Sequence, residues 1–254
     1  MTTPSFSVEG KVTIVTGASR GIGNSLAMGF AEAGARVVLV ARTASELEST
    51  AEKIRSKGGT AIAIPTDVTS CQQLEEMVEK TRAEFGRIDV LLNVAGGAGE
   101  TWVLPPLDMP ETFYDELDGR NYKGVFFCNQ AVARAMVEQK SGSIINFSSL
   151  SGTKPLVFEA VVGGLKAAVN QLTKALAVAW GPDNVRVNAI APGITLTERV
   201  KKKLEPEFVE NVSQSIPLRR LADPGDLLGP ALFLASDASA YITGMIMPAD
   251  GGPQ

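Results

Sequence analysis

The segment Thr16-Gly17-Ala18-Ser19-Arg20-Gly21-Ile22-Gly23 limits what this chain can fold into more than any other. It follows a β-rich run, Lys11 to Thr16, and precedes an apolar helical pattern from about Ile22 to Ala33 that stops at Gly34. Glycines at that junction allow a tight turn from strand into helix. They also let backbone N–H groups come close to a pyrophosphate at the helix N-terminus.

The unit then repeats. Val37 to Val40 reads as a second strand, Ala44 to Lys57 as an amphipathic helix closed by Gly58-Gly59, and Ala61 to Ile64 as a third strand. Ser70 is a suitable N-cap for a helix running to Phe85. Val90 to Leu92 and Ser143 to Phe147 read as further strands separated by a long helical stretch from about Pro110 to Gln139. A helix across Lys166, a strand over Val185 to Ala189, a helix near Asp226 to Leu234 and a last strand at Met245 to Met247 complete the pattern. Nearly continuous apolar strands alternating with helices predict an α/β fold: a doubly wound, Rossmann-type parallel sheet in a single domain over residues 1–254.

Composition removes several classes of function. A formal net charge of -4 gives no long-range attraction to nucleic acid. No stretch approaches the roughly 18 apolar residues of a membrane span, and the first residues lack a signal-peptide pattern, so a cytoplasmic location is expected. Histidine is absent and Cys71 and Cys128 are the only cysteines, which rules out a Cys/His zinc site; no metal is expected. Proton chemistry must therefore use Tyr, Lys, Ser, carboxylates or water.

The G-x-x-x-G-x-G spacing of Gly17, Gly21 and Gly23 resembles the short-chain dehydrogenase/reductase family, and four further landmarks extend the resemblance over almost the whole chain. These are Asp67-Val68, Asn93-Val94-Ala95-Gly96, Pro192-Gly193-Ile194-Thr195-Leu196-Thr197, and an ending with Tyr241-Ile-Thr-Gly244 and Asp250-Gly-Gly252. Val94 stands where the family usually has a second Asn. The resemblance implies a nicotinamide dinucleotide held by Gly17, Ser19, Arg20, Gly21, Ile22 and Gly23, with Asp67 and Val68 at the adenine and Asn93, Ala95 and Gly96 lining the path. It also implies that Pro192, Gly193, Thr195 and Thr197 hold the carboxamide end and Lys166 the nicotinamide ribose.

The second strand ends in Ala41-Arg42 with no acidic residue. Arg20 and Arg42 form a two-armed cation for a ribose 2′-phosphate, which favours NADP(H) over NAD(H).

The same resemblance implies a catalytic set of Asn121, Ser149 and Lys166 acting on a small-molecule carbonyl or alcohol. The spacing of the family's Ser and Tyr-x-x-x-Lys site is kept, but Val162 occupies the place of the tyrosine. Valine exchanges no proton, and general acid catalysis is worth roughly 10²–10⁴-fold. A water bridging Lys166 and Ser149 in the vacated space, or Glu159, seven residues before Lys166, is a substitute donor. Two alternatives follow: reduction of an activated C=C bond of enoyl or dienoyl type, or an NADP(H)-binding chain without turnover, natural or engineered. Tyr122, beside Asn121, is expected to serve packing, and nothing recommends Tyr114. Lys201-Lys202-Lys203 reads as a solvated helix face with a weaker case for attracting an anionic substrate. Phe158, Trp102, Leu150 and Phe208 are candidates for an apolar pocket. A homo-oligomer, tetramer or dimer, is expected by resemblance.

Overall fold

The computed structural model describes residues 5–97, 104–156 and 159–252. Seven strands form one parallel sheet: β1 (Val12–Thr16), β2 (Arg36–Ala41), β3 (Thr60–Pro65), β4 (Val90–Asn93), β5 (Gly142–Phe147), β6 (Val185–Pro192) and β7 (Ile246–Ala249). Their order is β3-β2-β1-β4-β5-β6-β7, and every neighbouring pair is parallel. The chain therefore winds outward in both directions from β1. The switch falls between β1 and β4, where the C-terminal ends of two adjacent strands send their chains to opposite sides and leave a crevice.

The helices α1 (Gly21–Glu32), α2 (Ala44–Ser56), α3 (Cys71–Phe85), α4 (Glu111–Asp118), α5 (Gly124–Gln139), α6 (Ala160–Trp180), α7 (Glu198–Lys201), α8 (Pro206–Ser215) and α9 (Leu228–Ala235) complete the chain order. Val15, Val37 and Leu39 face a core with Leu26 and Phe30 of α1 and Leu234 of α9. Val12, Ile14 and Val38 face the opposite core with Leu74 and Met77 of α3 and Val132 and Met136 of α5. Alternate residues of the same strands feed the two cores, which is why these strands carry apolar residues almost without interruption.

Expected and observed elements agree to within a few residues, and the Ser70 side chain accepts the Gln73 N–H as the N-cap of α3. The stretch expected as one long helix from Pro110 to Gln139 is instead α4 and α5 joined by a π-helical turn, Gly119–Lys123. That turn carries Asn121, in keeping with the tendency of π-bulges to occur at functional positions.

Candidate active site

The glycine turn closes on itself so tightly that its glycines have no substitute. A β-carbon at Gly23 would lie 2.3 Å from the Gly17 carbonyl oxygen, and one at Gly17, whose φ is +69°, would lie 3.2 Å from the Ala95 Cα. Gly21 (φ +57°) faces the Thr197 methyl at 3.2 Å from the same notional atom. Arg20 caps α1 in an extended conformation without a side-chain hydrogen bond, so the first N–H groups of α1 stay free of a side-chain cap. We expect Gly23→Ala to cost about 1–3 kcal/mol by overpacking against backbone and to weaken dinucleotide binding. Denaturant melts and a cofactor titration of the variant check both effects.

Thr16 ties this turn to the neighbouring strand. Its hydroxyl accepts the Val94 and Ala95 N–H groups, both at 2.9 Å, and donates to Asn93 Oδ1 at 3.3 Å. Asn93 in turn donates to the Val125 carbonyl at 3.2 Å and to Asn146 Oδ1 at 3.4 Å, and Asn146 reaches Thr173 at 3.1 Å. A buried polar ladder thus runs from β1 through β4 and β5 to α6 and fixes the C-terminal strand edges. Thr16 was not singled out in the sequence; a lone threonine ending a strand carries no signal until its partners are known.

The Asn93-to-Gly96 segment leads to the tightest point of the site. Gly96 has φ +151°, and a β-carbon there would stand 2.9 Å from Asn121 Oδ1 and 3.3 Å from Lys166 Nζ. Asn121 is fully buried. Its Oδ1 accepts the Gly97 N–H at 2.7 Å, and its Nδ2 donates to the Gly97 and Leu117 carbonyls at 3.1 and 2.9 Å. The π-turn makes this reach available, since a side chain in an uninterrupted helix would sit at a different angle.

Lys166 is 6% exposed and donates to the Phe147 carbonyl at 2.8 Å. Burial pushes its ammonium down to about 8, because the charged form loses water without gaining a carboxylate. Ser148 donates to the Lys166 carbonyl at 3.2 Å and so anchors α6 to the end of β5. Ser149 is half-buried, and its Oγ accepts both the N–H and the hydroxyl of Ser151, at 3.2 and 3.0 Å. With two bonds accepted, its own O–H remains a donor.

Val162 lies in the first turn of α6, four residues before Lys166 and on the same helix face, and it is half-buried. Glu159 is the N-cap residue of that helix. Its side chain makes no cap hydrogen bond, and its carbonyl accepts the Gly163 N–H. A carboxylate there complements the helix dipole.

The remaining expected residues surround this centre. Pro192 ends β6, Gly193 donates to the Ala249 carbonyl at 3.0 Å, Thr195 bonds back to the Gly193 carbonyl, and Thr197 caps α7 through Val200 N–H. Asp67 sits past β3 with Oδ1 accepting the Thr69 N–H and hydroxyl, beside half-buried Val68. Ser19 and Ile22 are half-buried, whereas Arg20 and Arg42 are exposed at the crevice side of β1 and β2. Tyr122 packs against Val125, Val169 and Leu172, as its expected packing role requires, and Tyr114 is exposed. Leu150 is half-buried and Phe208 is 46% exposed on α8, whereas Trp102 and Phe158 lie outside the described residues. Lys201 pairs with Glu198 at 3.0 Å on an exposed helix face. Among the described residues no group of acidic or cysteine side chains is placed to hold a metal, and no helix is long and apolar enough to cross a membrane.

These residues fit a dinucleotide. Gly17, Gly21, Gly23 and Gly96 let the backbone pack closely at the C-terminal ends of β1 and β4, where Lys166 and Asn121 flank Gly96 and exposed Arg20 and Arg42 follow β1 and β2.

Comparison with known proteins agrees. A family model described as Enoyl-(Acyl carrier protein) reductase matches residues 17–254. L-rhamnose 1-dehydrogenase (NAD(P)(+)) of Azotobacter vinelandii is 40% identical over 251 residues, covering 95% of this chain and 96% of that one. A gluconate 5-dehydrogenase from Burkholderia cenocepacia, solved with NADP and tartrate, superposes with a TM-score of 0.92 at 32% identity over 97% of this chain and 96% of its own. A 7α-hydroxysteroid dehydrogenase solved with NADH and 7-oxo glycochenodeoxycholic acid gives a TM-score of 0.91 at 34% identity over 97% and 95%. Sheet order, glycine turn and nearly full-length similarity converge on one conclusion: this chain belongs to the short-chain dehydrogenase/reductase family of oxidoreductases.

Proposed function

We propose that the chain is an NADP(H)-dependent oxidoreductase that transfers hydride to or from a small carbonyl or alcohol substrate, with its proton step slowed by Val162. The observation that carries this reading is the convergence of Asn121 Oδ1 and Lys166 Nζ on the backbone of Gly96, just past the C-terminal end of β4.

The nicotinamide, when bound, supplies or accepts the hydride. The chain's own residues do the rest. Ser149 keeps an O–H to donate to the substrate oxygen, since its lone pairs are occupied by Ser151. Lys166 holds a proton that burial makes exchangeable near neutrality. Valine is smaller than a phenol, and the space it vacates accommodates a water between Lys166 and Ser149 that passes this proton to the substrate oxygen. Asn121 fixes the Gly97 backbone and with it the floor of the site.

NADP(H) is favoured by Arg20 and Arg42 and by the missing acidic residue after β2, because a carboxylate there would accept a ribose hydroxyl and repel a phosphate. Relatives are solved with NADP and with NADH, so the choice rests on these side chains. A homo-oligomer is part of the reading. Val178, Tyr241 and Met245 are exposed apolar side chains where the chain before β7 meets α6, with Gly244 facing Ala177. Such a surface suits a second copy. A cytoplasmic setting accords with two free cysteines.

Reduction of an activated C=C bond is the second reading. It is favoured by the description of the matching family model and by Val162, since protonation at carbon can draw on water. A turnover panel of ketones and enoyl-thioesters with NADPH, with products identified by mass and retention, separates the two. Alcohol products support carbonyl reduction, saturated thioesters support the second reading, and NADPH consumption with neither substrate class contradicts both.

A further inference from the structure

Arg120 is the most poorly satisfied cation among the described residues. It lies in the π-turn immediately before Asn121, and its Nε and Nη2 are both buried without a hydrogen-bond partner. These two nitrogens form one side of the guanidinium fork, the edge whose parallel N–H bonds match two oxygens of a carboxylate or phosphate. An unpaired pair of donors facing the same way is a mould for a two-oxygen anion.

Its surroundings locate that anion. The π-turn packs on the segment after β3: a β-carbon at Gly119 would lie 3.6 Å from the Thr69 methyl, and one at Gly124 would lie 3.0 Å from the Val68 carbonyl oxygen. Arg120 thus adjoins the Asp67-Val68 corner expected to hold the adenine. Residues 120 and 121 are consecutive in the π-turn, so their side chains leave the helix axis in different directions. Asn121 turns to Gly97, so the Arg120 side chain does not share that contact. Burial lowers the Arg120 pKa, Glu116 one turn earlier raises it, and the charge of Arg42 lowers it again. Arg42 and Arg120 therefore sit near enough for their charges to interact, and burial, the largest of the three influences, keeps the net shift downward although Glu116 outweighs Arg42.

We propose that the Nε–Nη2 edge of Arg120 is a third arm of the 2′-phosphate site, beside Arg20 and Arg42, and a determinant of preference for NADP(H) over NAD(H). The inference rests on the NADP(H) reading above. A phosphate dianion pairs both dry donors together and is shared with the neighbouring charge of Arg42. Stacking of the guanidinium face on the adenine would leave the edge donors unpaired, so the edge favours the anion.

Fluorescence titration of the full chain with NADPH and with NADH tests this, using the unaltered protein, Arg42→Ala, Arg120→Met and Arg120→Lys. Arg120→Met should weaken NADPH binding tenfold or more and leave NADH within about twofold. Arg120→Lys, which keeps the charge but not the fork, should lose part of the NADPH affinity with NADH again unchanged, and it serves if the methionine variant does not fold. Equal weakening of both cofactors would assign Arg120 to adenine stacking or packing and overturn the proposal. An NADPH preference abolished by Arg42→Ala but intact in both Arg120 variants would overturn the proposal alone. If the unaltered chain binds NADPH no more tightly than NADH, the cofactor reading itself fails and takes the third arm with it.

Discussion

Replacing Val162 with tyrosine is expected to raise kcat for ketone reduction by about 10²–10⁴-fold, the usual worth of a positioned general acid. The geometry around position 162 is otherwise prepared. It lies one turn before Lys166 on the same face of α6, so a phenol there would stand over the ammonium. A cation at that distance favours the phenolate and would bring the tyrosine toward the neutral range. Ser149 already has its hydroxyl oriented by Ser151, and Asn121 is locked to Gly97. Steady-state kinetics on a ketone panel checks the gain. A folded, NADPH-binding Val162→Tyr variant that turns ketones over no faster than the parent would show that the site is not a carbonyl-reducing one.

The second large effect concerns Lys166→Met, which should abolish turnover while making the cofactor-free protein more stable. The native ammonium is depressed from 10.5 to about 8 by burial, whereas the unfolded lysine keeps its ordinary value. A base with a lowered native pKa penalises folding fully below about pH 8, where the folded chain must carry a buried charge. The penalty is relieved as pH rises from about 8 to 10.5, where the unfolded chain alone holds the proton. A shift of that size corresponds to about 3 kcal/mol at most. Methionine forfeits the bond to the Phe147 carbonyl, worth about 1 kcal/mol, so a net gain of about 1–2 kcal/mol at pH 7 is expected. Urea melts at pH 7 and 10 measure it: the stability gap between parent and variant should narrow at the higher pH. A methionine variant that is less stable at pH 7 would mean that the ammonium is not paying a desolvation cost.

Legibility in the sequence followed locality. The glycine turn was readable because its constraints are backbone constraints: positive φ at Gly17 and Gly21 and a 2.3 Å approach at Gly23 admit one residue type only. The Ser70 cap was readable for the same reason, since cap and partner are three residues apart. The break between α4 and α5 was not. One extra residue in a helix leaves the apolar period almost unchanged, and only the wider ring at Gly119–Lys123 reveals it. Helix α8 was likewise missed, and α7 was anticipated only as a solvated helix face at Lys201-Lys202-Lys203, because two short helices give little periodicity. The roles of Lys166, Asn121 and Ser149 were expected from resemblance. The meeting of Asn121 and Lys166 at Gly96, the burial of Lys166 and the empty edge of Arg120 arise from chain segments far apart in sequence. Val162 was conspicuous because it stands where the resemblance implies a tyrosine. What its side chain leaves room for depended on the placement of Ser149 and Ser151.

The dinucleotide site is tested most directly by a fluorescence titration of the unaltered chain with NADPH and, in parallel, NADH. Saturable NADPH binding at least tenfold tighter than NADH is the predicted result, with Arg42 and Arg20 engaging the 2′-phosphate. Absence of saturable binding to either cofactor, or tighter binding of NADH, would contradict it.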